Sequence, residues 1–430
     1  MSRVAYINAR LLDPASGLDS HGALLCDDKL IVDFGPELFK DEVPDGITVV
    51  DCKGFCLMPG LVDMRVQLRE PGEEHKGTLE SAGRTASAGG VTSMVCLPNT
   101  NPVIDDVSVL EFVARRARKL ELAKVYSYGA VTKGLEGKEL AEIGLLSNSG
   151  ALAFTDGIKS VENPRIMGQA LSYASNFGQM IIQHAEEPNL ARDGVMNSGE
   201  TATRLGLTGI PRQAEIIMVE RDIRLAEMTR GRLHFAHLST SDSIDVVRKA
   251  KARGLDITCD TAPPYFSLSE ISVGDYRTFS KLSPPLRNES DRLAVIEGIR
   301  DGTIDTVASD HAPHDEESKR LPFADAAFGG VGLETLLAIT LELFHNGHLD
   351  LLSTLKLITS APSDLLALKA GQIKKGFPAD LTLFDPNRGW KIDADTMQSI
   401  SKNSPFDGRP VQGAVLMTVV DGRIVFDQMS

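Results

Sequence analysis

A chain of 430 residues, 42% hydrophobic and 24% charged, is long enough to bury a substantial core, which excludes a disordered or fibrous protein. Its 45 Lys and Arg against 59 Asp and Glu leave a formal charge of −14, which argues against nucleic acid or an anionic membrane as partner, while local arginines leave a small anionic substrate open. Cys26, Cys52, Cys56, Cys96 and Cys259 form no CxxC pair, and neither a signal core nor a membrane-length apolar run is present, so a cytoplasmic protein with reduced thiols is expected.

In chain order, residues 3 to 12 and 23 to 34 read as short strands turning near Asp27, Asp28 and Lys29, with a further strand at Thr48 to Asp51. The far end has the same character, in ADLTLFD from Ala379 and AVLMTVVDGRIVFD from Ala414, where Asp421-Gly422 is a hairpin signal. Neither end has enough strands to bury a face alone, so the two are expected to pair into one small β domain, residues 1–55 together with 370–430.

Between them, over 56–369, strand-like runs alternate with helical stretches, the pattern of a parallel sheet with crossover helices. Eight such runs begin near Leu61, Val91, Lys124, Ala151, Gln179, Arg232, Asp256 and Ile304, which predicts a (β/α)8 barrel. The amphipathic, basic EFVARRARKLEL from Glu111 reads as a helix on its outer face.

Polar residues gather where the strands of such a barrel would end, at the mouth that carries chemistry in this fold. Arg65, Gln67 and Arg69 alternate at the end of the first run and should share one face. Asp156, His184, His237 and Asp310 follow the fourth, fifth, sixth and eighth runs. Singly, each reads equally as a helix cap or a hydrogen-bonded core histidine; together they suggest a ligand set, since two imidazoles and a carboxylate with an open position suit a catalytic zinc. His234, three residues before His237, should face away and make a packing or supporting hydrogen bond. Asp310 suits general-base work, and His314 can reach a substrate from its loop. LPFADAAFGGVGLET from Leu321 reads as a mobile lid or a backbone cradle.

These segments resemble the dihydroorotases, cyclic amidohydrolases of pyrimidine biosynthesis, of the type that associates with aspartate carbamoyltransferase. PGLVDMRVQLREPG is similar to a family segment PGLVDxHxHLREPG, LPNTNPVID from Leu97 to MPNTxPxID, and AHLST, SDHAPH and FGGVGLET to further signatures. The resemblance implies reversible hydrolysis of L-dihydroorotate to N-carbamoyl-L-aspartate by a metal hydroxide. It makes Asp156 a metal-bridging carboxylate, His184 and His237 metal ligands, Asp310 ligand and base, and Arg69, Asn99 and His314 the groups that bind the substrate's carboxylate and ring. It also implies a homo-oligomer.

The chain departs from that pattern where the family places two metal histidines, because Arg65 and Gln67 stand there. Arginine offers a metal no lone pair, and glutamine is a poor neutral ligand. A guanidinium about 4 Å from a dication at an effective dielectric near 20 opposes it by roughly 8 kcal/mol. Arg65 is therefore expected to take the missing metal's place and pair with Asp310. TAPPYF from Thr261 replaces a His-His pair of the family, and Ser283 replaces an asparagine that helps hold substrate.

Three readings follow. The first is a dihydroorotase relative with lost or reduced catalysis, kept as a partner of aspartate carbamoyltransferase. The second is an active enzyme with at most one zinc per chain, held by Asp156, His184 and His237. The third is another cyclic amidohydrolase, disfavoured because those relatives use a carboxylated lysine where this chain has Asp156, and Lys159 lies too far on.

Overall fold

The computed structural model describes residues 3–429. Eight parallel strands form the barrel: Leu61–Val66, Val91–Cys96, Lys124–Ser127, Phe154–Thr155, Met180–His184, Arg232–Ala236, Ile257–Thr261 and Thr306–Val307. The first three pair in one sheet and the other five in a second. Parallel bridges Gly129 to Phe154 and Val66 to His311 join the two sheets into a ring. All eight expected runs are present, buried nearly throughout, because crossover helices cover the outer face while side chains fill the interior.

The helices begin where the sequence supplies capping side chains. Thr78 and Ser81 form a capping box on Leu79–Ala88, and Asp106 accepts from Ser108 at the start of Val107–Leu120. The second of these is the expected basic helix: Val109, Leu110, Val113 and Ala117 face the barrel and its arginines face outward.

The chain ends pair as expected. Arg3–Asp13, Leu18–Asp27, Leu30–Gly35 and Thr48–Asp51 join Leu381–Lys391, Pro410–Val420 and Arg423–Asp427 in one sheet, which turns at Asp421-Gly422. An eighth strand, Cys56–Pro59, escaped the sequence reading and is the joint. It runs parallel to Arg3–Asp13 on one side and antiparallel to Leu381–Lys391 on the other. Gly60 then passes the chain into the first barrel strand so close to the Thr92 side chain that a Cβ would overlap it. The five cysteines are buried free thiols, and no helix among the described residues is long and apolar enough to cross a membrane.

An ion-pair cluster fastens the sheet to the barrel. Lys124, opening the third barrel strand, places Nζ 2.7 Å from Asp380 Oδ2 and 2.7 Å from Asp421 Oδ1, and the Asp380 side chain is only 4% exposed. Replacing Lys124 with Ala leaves two carboxylates facing one another without a cation. The expected cost is about 3 kcal/mol, read as a lower urea midpoint, with partial recovery in the Lys124→Ala, Asp380→Asn double variant. A single variant within about 0.5 kcal/mol of the parent contradicts this role for the cluster.

Candidate functional site

Alternation along the first barrel strand aims Asp63 and Arg65 at the barrel interior. Asp63 is fully buried, and its Oδ1 accepts from the backbone N–H of Arg65 and of Ser309, both at 3.1 Å, which fastens the first strand to the end of the eighth. Burial lifts the Asp63 carboxyl to about 6. The Arg65 side chain is 3% exposed and lies across the mouth. Its Nε donates to Asp310 Oδ1 at 3.1 Å and its Nη2 to the Gly157 carbonyl at 3.0 Å, while Nη1 is buried without a partner. The pairing expected between Arg65 and Asp310 is present.

His184 and His237 stand beside this pair, ring centroids 5.6 Å apart. His237 Nε2 is 3.9 Å from Asp310 Oδ1, beyond hydrogen-bond reach. Neither His237 ring nitrogen has a partner, nor has His184 Nδ1; His184 Nε2 meets Ser283 Oγ at 3.3 Å. Burial, reinforced by the Arg65 charge, pushes His184 down to about 3 and His237 well below its usual value, so both rings are neutral. Burial raises Asp310 to about 7 against the opposing pull of Arg65, with Asp260 and Asp63 adding repulsion.

Asp156 does not join them in the way a bridging ligand requires. Its Oδ1 accepts from the backbone N–H of Val131 at 3.0 Å and Thr132 at 2.9 Å, and its Oδ2 from the Thr132 hydroxyl at 2.5 Å. A carboxylate committed to three donors of the third-strand loop works as a structural cap on that loop. Among the described residues no three His, Cys, Asp or Glu side chains are grouped as a metal-ion ligand set; of the four expected, His184, His237 and Asp310 stand together, while Asp156 is bonded to the third-strand loop. The donors present do not fit a metal ion: a guanidinium lies among them, one carboxylate is its partner and the other is spent elsewhere.

The expected substrate groups are bonded to the protein itself. The first strand ends at Val66, so Gln67 and Arg69 are placed by the following turn, and the expected common strand face fails at Arg69, whose φ is +64°. Gln67 Oε1 accepts from Asn99 Nδ2 at 3.1 Å. Arg69 donates to the Pro313 carbonyl at 3.0 Å, to Glu73 Oε2 at 2.9 Å and to His314 Nε2 at 3.1 Å. Burial, with Arg69 adjacent, lowers His314 to about 3. Arg69, His237 and Asp310 all have positive φ, a cluster of backbone strain at the mouth.

His311 is structural, its Nδ1 accepting from the backbone N–H of Gly332 at 3.2 Å. The segment read as a lid or cradle is a cradle. Its backbone is tied by bonds from Ala312 N–H to the Gly330 carbonyl and from Val331 N–H to the Asn403 carbonyl. A Cβ at Gly332 would lie 2.6 Å from the Ser309 carbonyl oxygen, so this contact needs glycine.

Sequence reasoning missed Asp63, Asp260 and Thr132. Asp260 Oδ2 accepts from His234 Nε2 at 3.0 Å and its Oδ1 from the His237 backbone N–H at 2.6 Å, the supporting bond expected of His234. A carboxylate ending the apolar seventh run was the available signal. TAPPYF supplies a short helix, Pro263–Ser267, whose Tyr265 hydroxyl donates to the Pro284 carbonyl at 2.9 Å.

Two families match the chain, one described as "Dihydro-orotase-like" over residues 54–243 and one as "Amidohydrolase family" over 214–426. The dihydroorotase of Wolbachia sp. subsp. Brugia malayi (strain TRS) is 46% identical over 99% of this chain and 96% of its own. That of Anaplasma phagocytophilum (strain HZ) is 47% identical over 98% and 95%, and that of Desulforapulum autotrophicum 44% over 99% of each. The solved structure of L-hydantoinase (dihydropyrimidinase) from Arthrobacter aurescens superposes with a TM-score of 0.89 at 24% identity, covering 100% of this chain and 97% of that one. Dihydropyrimidinase from Brevibacillus agri NCHU1002 gives 0.84 at 20%, covering 99% and 95%. At those identities the likeness establishes the barrel with its β domain.

The Arg65 charge acts on both kinds of neighbour, which sets the sign of a test. In Arg65→Met the Asp310 carboxyl loses its counter-charge and the His184 ring loses a repulsion, so both pKa values should rise, Asp310 by about one unit or more. Carbon-detected NMR titration of the labelled side chains reads this directly. An unmoved Asp310 means that the guanidinium does not govern the mouth.

Proposed function

The chain belongs to the dihydroorotase family of cyclic amidohydrolases, and from that premise we propose that it is a relative in which ring hydrolysis has been lost or greatly reduced, retained as a structural partner of aspartate carbamoyltransferase. The observation that carries the first half is the Arg65 guanidinium, buried in the mouth and bonded to Asp310 and the Gly157 carbonyl. Amide-ring opening needs a water made nucleophilic at neutral pH, and a metal ion does this by acidifying it. In this reading a fixed monocation stands in for that ion. It lends charge but has no open coordination position, and it engages the carboxylate that would accept the water's proton.

The reading with one zinc is less well supported. It needs Asp156, which already accepts three hydrogen bonds from Val131 and Thr132. His184 and His237 are neutral, but two imidazoles beside a guanidinium make a poor home for a dication. A different cyclic amidohydrolase is disfavoured by the names of the sequence relatives. The partnership with aspartate carbamoyltransferase rests on the resemblance of the motifs and is open to direct test.

Protein purified without chelator should contain well under one zinc per chain and should not open dihydroorotate above background. The same protein mixed with aspartate carbamoyltransferase should co-elute with it in gel filtration. Restoring histidine at Arg65 and Gln67 together should raise the metal content severalfold. A full pair of zinc ions in the parent protein, or turnover abolished by His184→Ala, would overturn the loss of catalysis, and separate elution would overturn the partnership.

A further inference from the structure

Resting on the reading of Arg69, Asn99 and His314 as the groups that face a substrate's carboxylate and ring, we propose that Glu73 is a built-in ligand of Arg69, a carboxylate from the chain itself that holds the slot a small ring carboxylate would take. The turn after the first barrel strand brings it there. Arg69 has φ +64°, Gly72 has φ +104°, and the Glu73 backbone N–H donates to the Arg69 carbonyl at 2.8 Å, which folds Glu73 back over the arginine. Gly72 permits this approach, since a Cβ there would collide with the Asn101 carbonyl.

The guanidinium is 6% exposed and has partners on each of its nitrogens. Nε is held by the Pro313 carbonyl and Nη2 by His314, both neutral acceptors within the barrel mouth. Nη1 meets an anion, Glu73 Oε2, at 2.9 Å. The other Glu73 oxygen pairs with Lys76, so one internal carboxylate bridges two cations as a bound acid would. Glu73 is 32% exposed, whereas the Arg69 side chain it contacts is only 6% exposed. The neighbouring Asn99 Nδ2 likewise gives one of its two N–H groups to a side chain of the protein, Gln67 Oε1. His314 Nδ1 is buried without a partner among the described residues.

A ligand carboxylate must therefore displace Glu73, which competes at the high effective concentration of a group four residues away. Apparent affinity falls by the fraction of time that the slot stands empty. Removing the internal carboxylate should restore binding.

The test is calorimetric titration of the full chain with orotate, whose conjugated ring resists hydrolysis, so that binding is read whether or not the protein turns over dihydroorotate. Glu73→Gln, which keeps the shape and removes the charge, should bind orotate at least tenfold more tightly than the parent, and Glu73→Ala should match it. Arg69→Ala added to Glu73→Gln should abolish the gain. Glu74→Gln removes the same charge from the same turn without touching Arg69 and should bind like the parent. Equal affinity in the parent and both Glu73 variants, no binding in any, or an equal gain in Glu74→Gln would overturn the proposal. Turnover of dihydroorotate by the parent would instead count against the proposed loss of catalysis and leave this result readable.

Discussion

The mouth of the barrel depends on one ion pair, Arg65 Nε to Asp310 Oδ1, between residues separated by nearly the whole barrel in sequence. Burying a cation and an anion together is expensive in desolvation, and such a pair persists only where further hydrogen bonds complete it. The Gly157 carbonyl supplies one such bond to Arg65, and the backbone at Asp63 and Ser309 fixes the two strands from which the partners extend. The arrangement gives Asp310 a cation that does not need to be bound from solution.

The same self-sufficiency runs outward. Asp156 is spent on the loop of Thr132, Asn99 on Gln67, and Arg69 on Glu73, Pro313 and His314. Among the described residues of the mouth, Asp63 Oδ2, Arg65 Nη1, both His237 ring nitrogens and one nitrogen each of His184 and His314 stay buried without a partner. The mouth is thus answered from within in part, with its unpartnered atoms gathered around His184 and His237.

Much of this could be read from the chain before folding. Hydrophobic runs of strand length, spaced by helices, specify the ring, and two ends with too few strands to stand alone had to pair. The Arg65 to Asp310 contact followed from placing a cation where the family pattern puts metal ligands. Other features lay beyond sequence because they depend on which neighbour wins a polar group. Asp156 sits at a strand end as a ligand would, yet two backbone N–H groups and a hydroxyl reach it from the third-strand loop. Cys56–Pro59 is too short to announce itself as the strand that joins both ends, and the glycines of FGGVGLET could equally have served motion or close contact. Here close contact prevails, since Gly332 touches the Ser309 carbonyl.

The central claim is that a side chain occupies the position of an ion. An anomalous difference map collected above the zinc edge, from crystals grown in excess zinc, tests it most directly. The account predicts no peak among His184, His237 and Asp310, with the guanidinium density of Arg65 against the Asp310 carboxylate. A strong peak there, with Arg65 rotated out of the mouth, would contradict it.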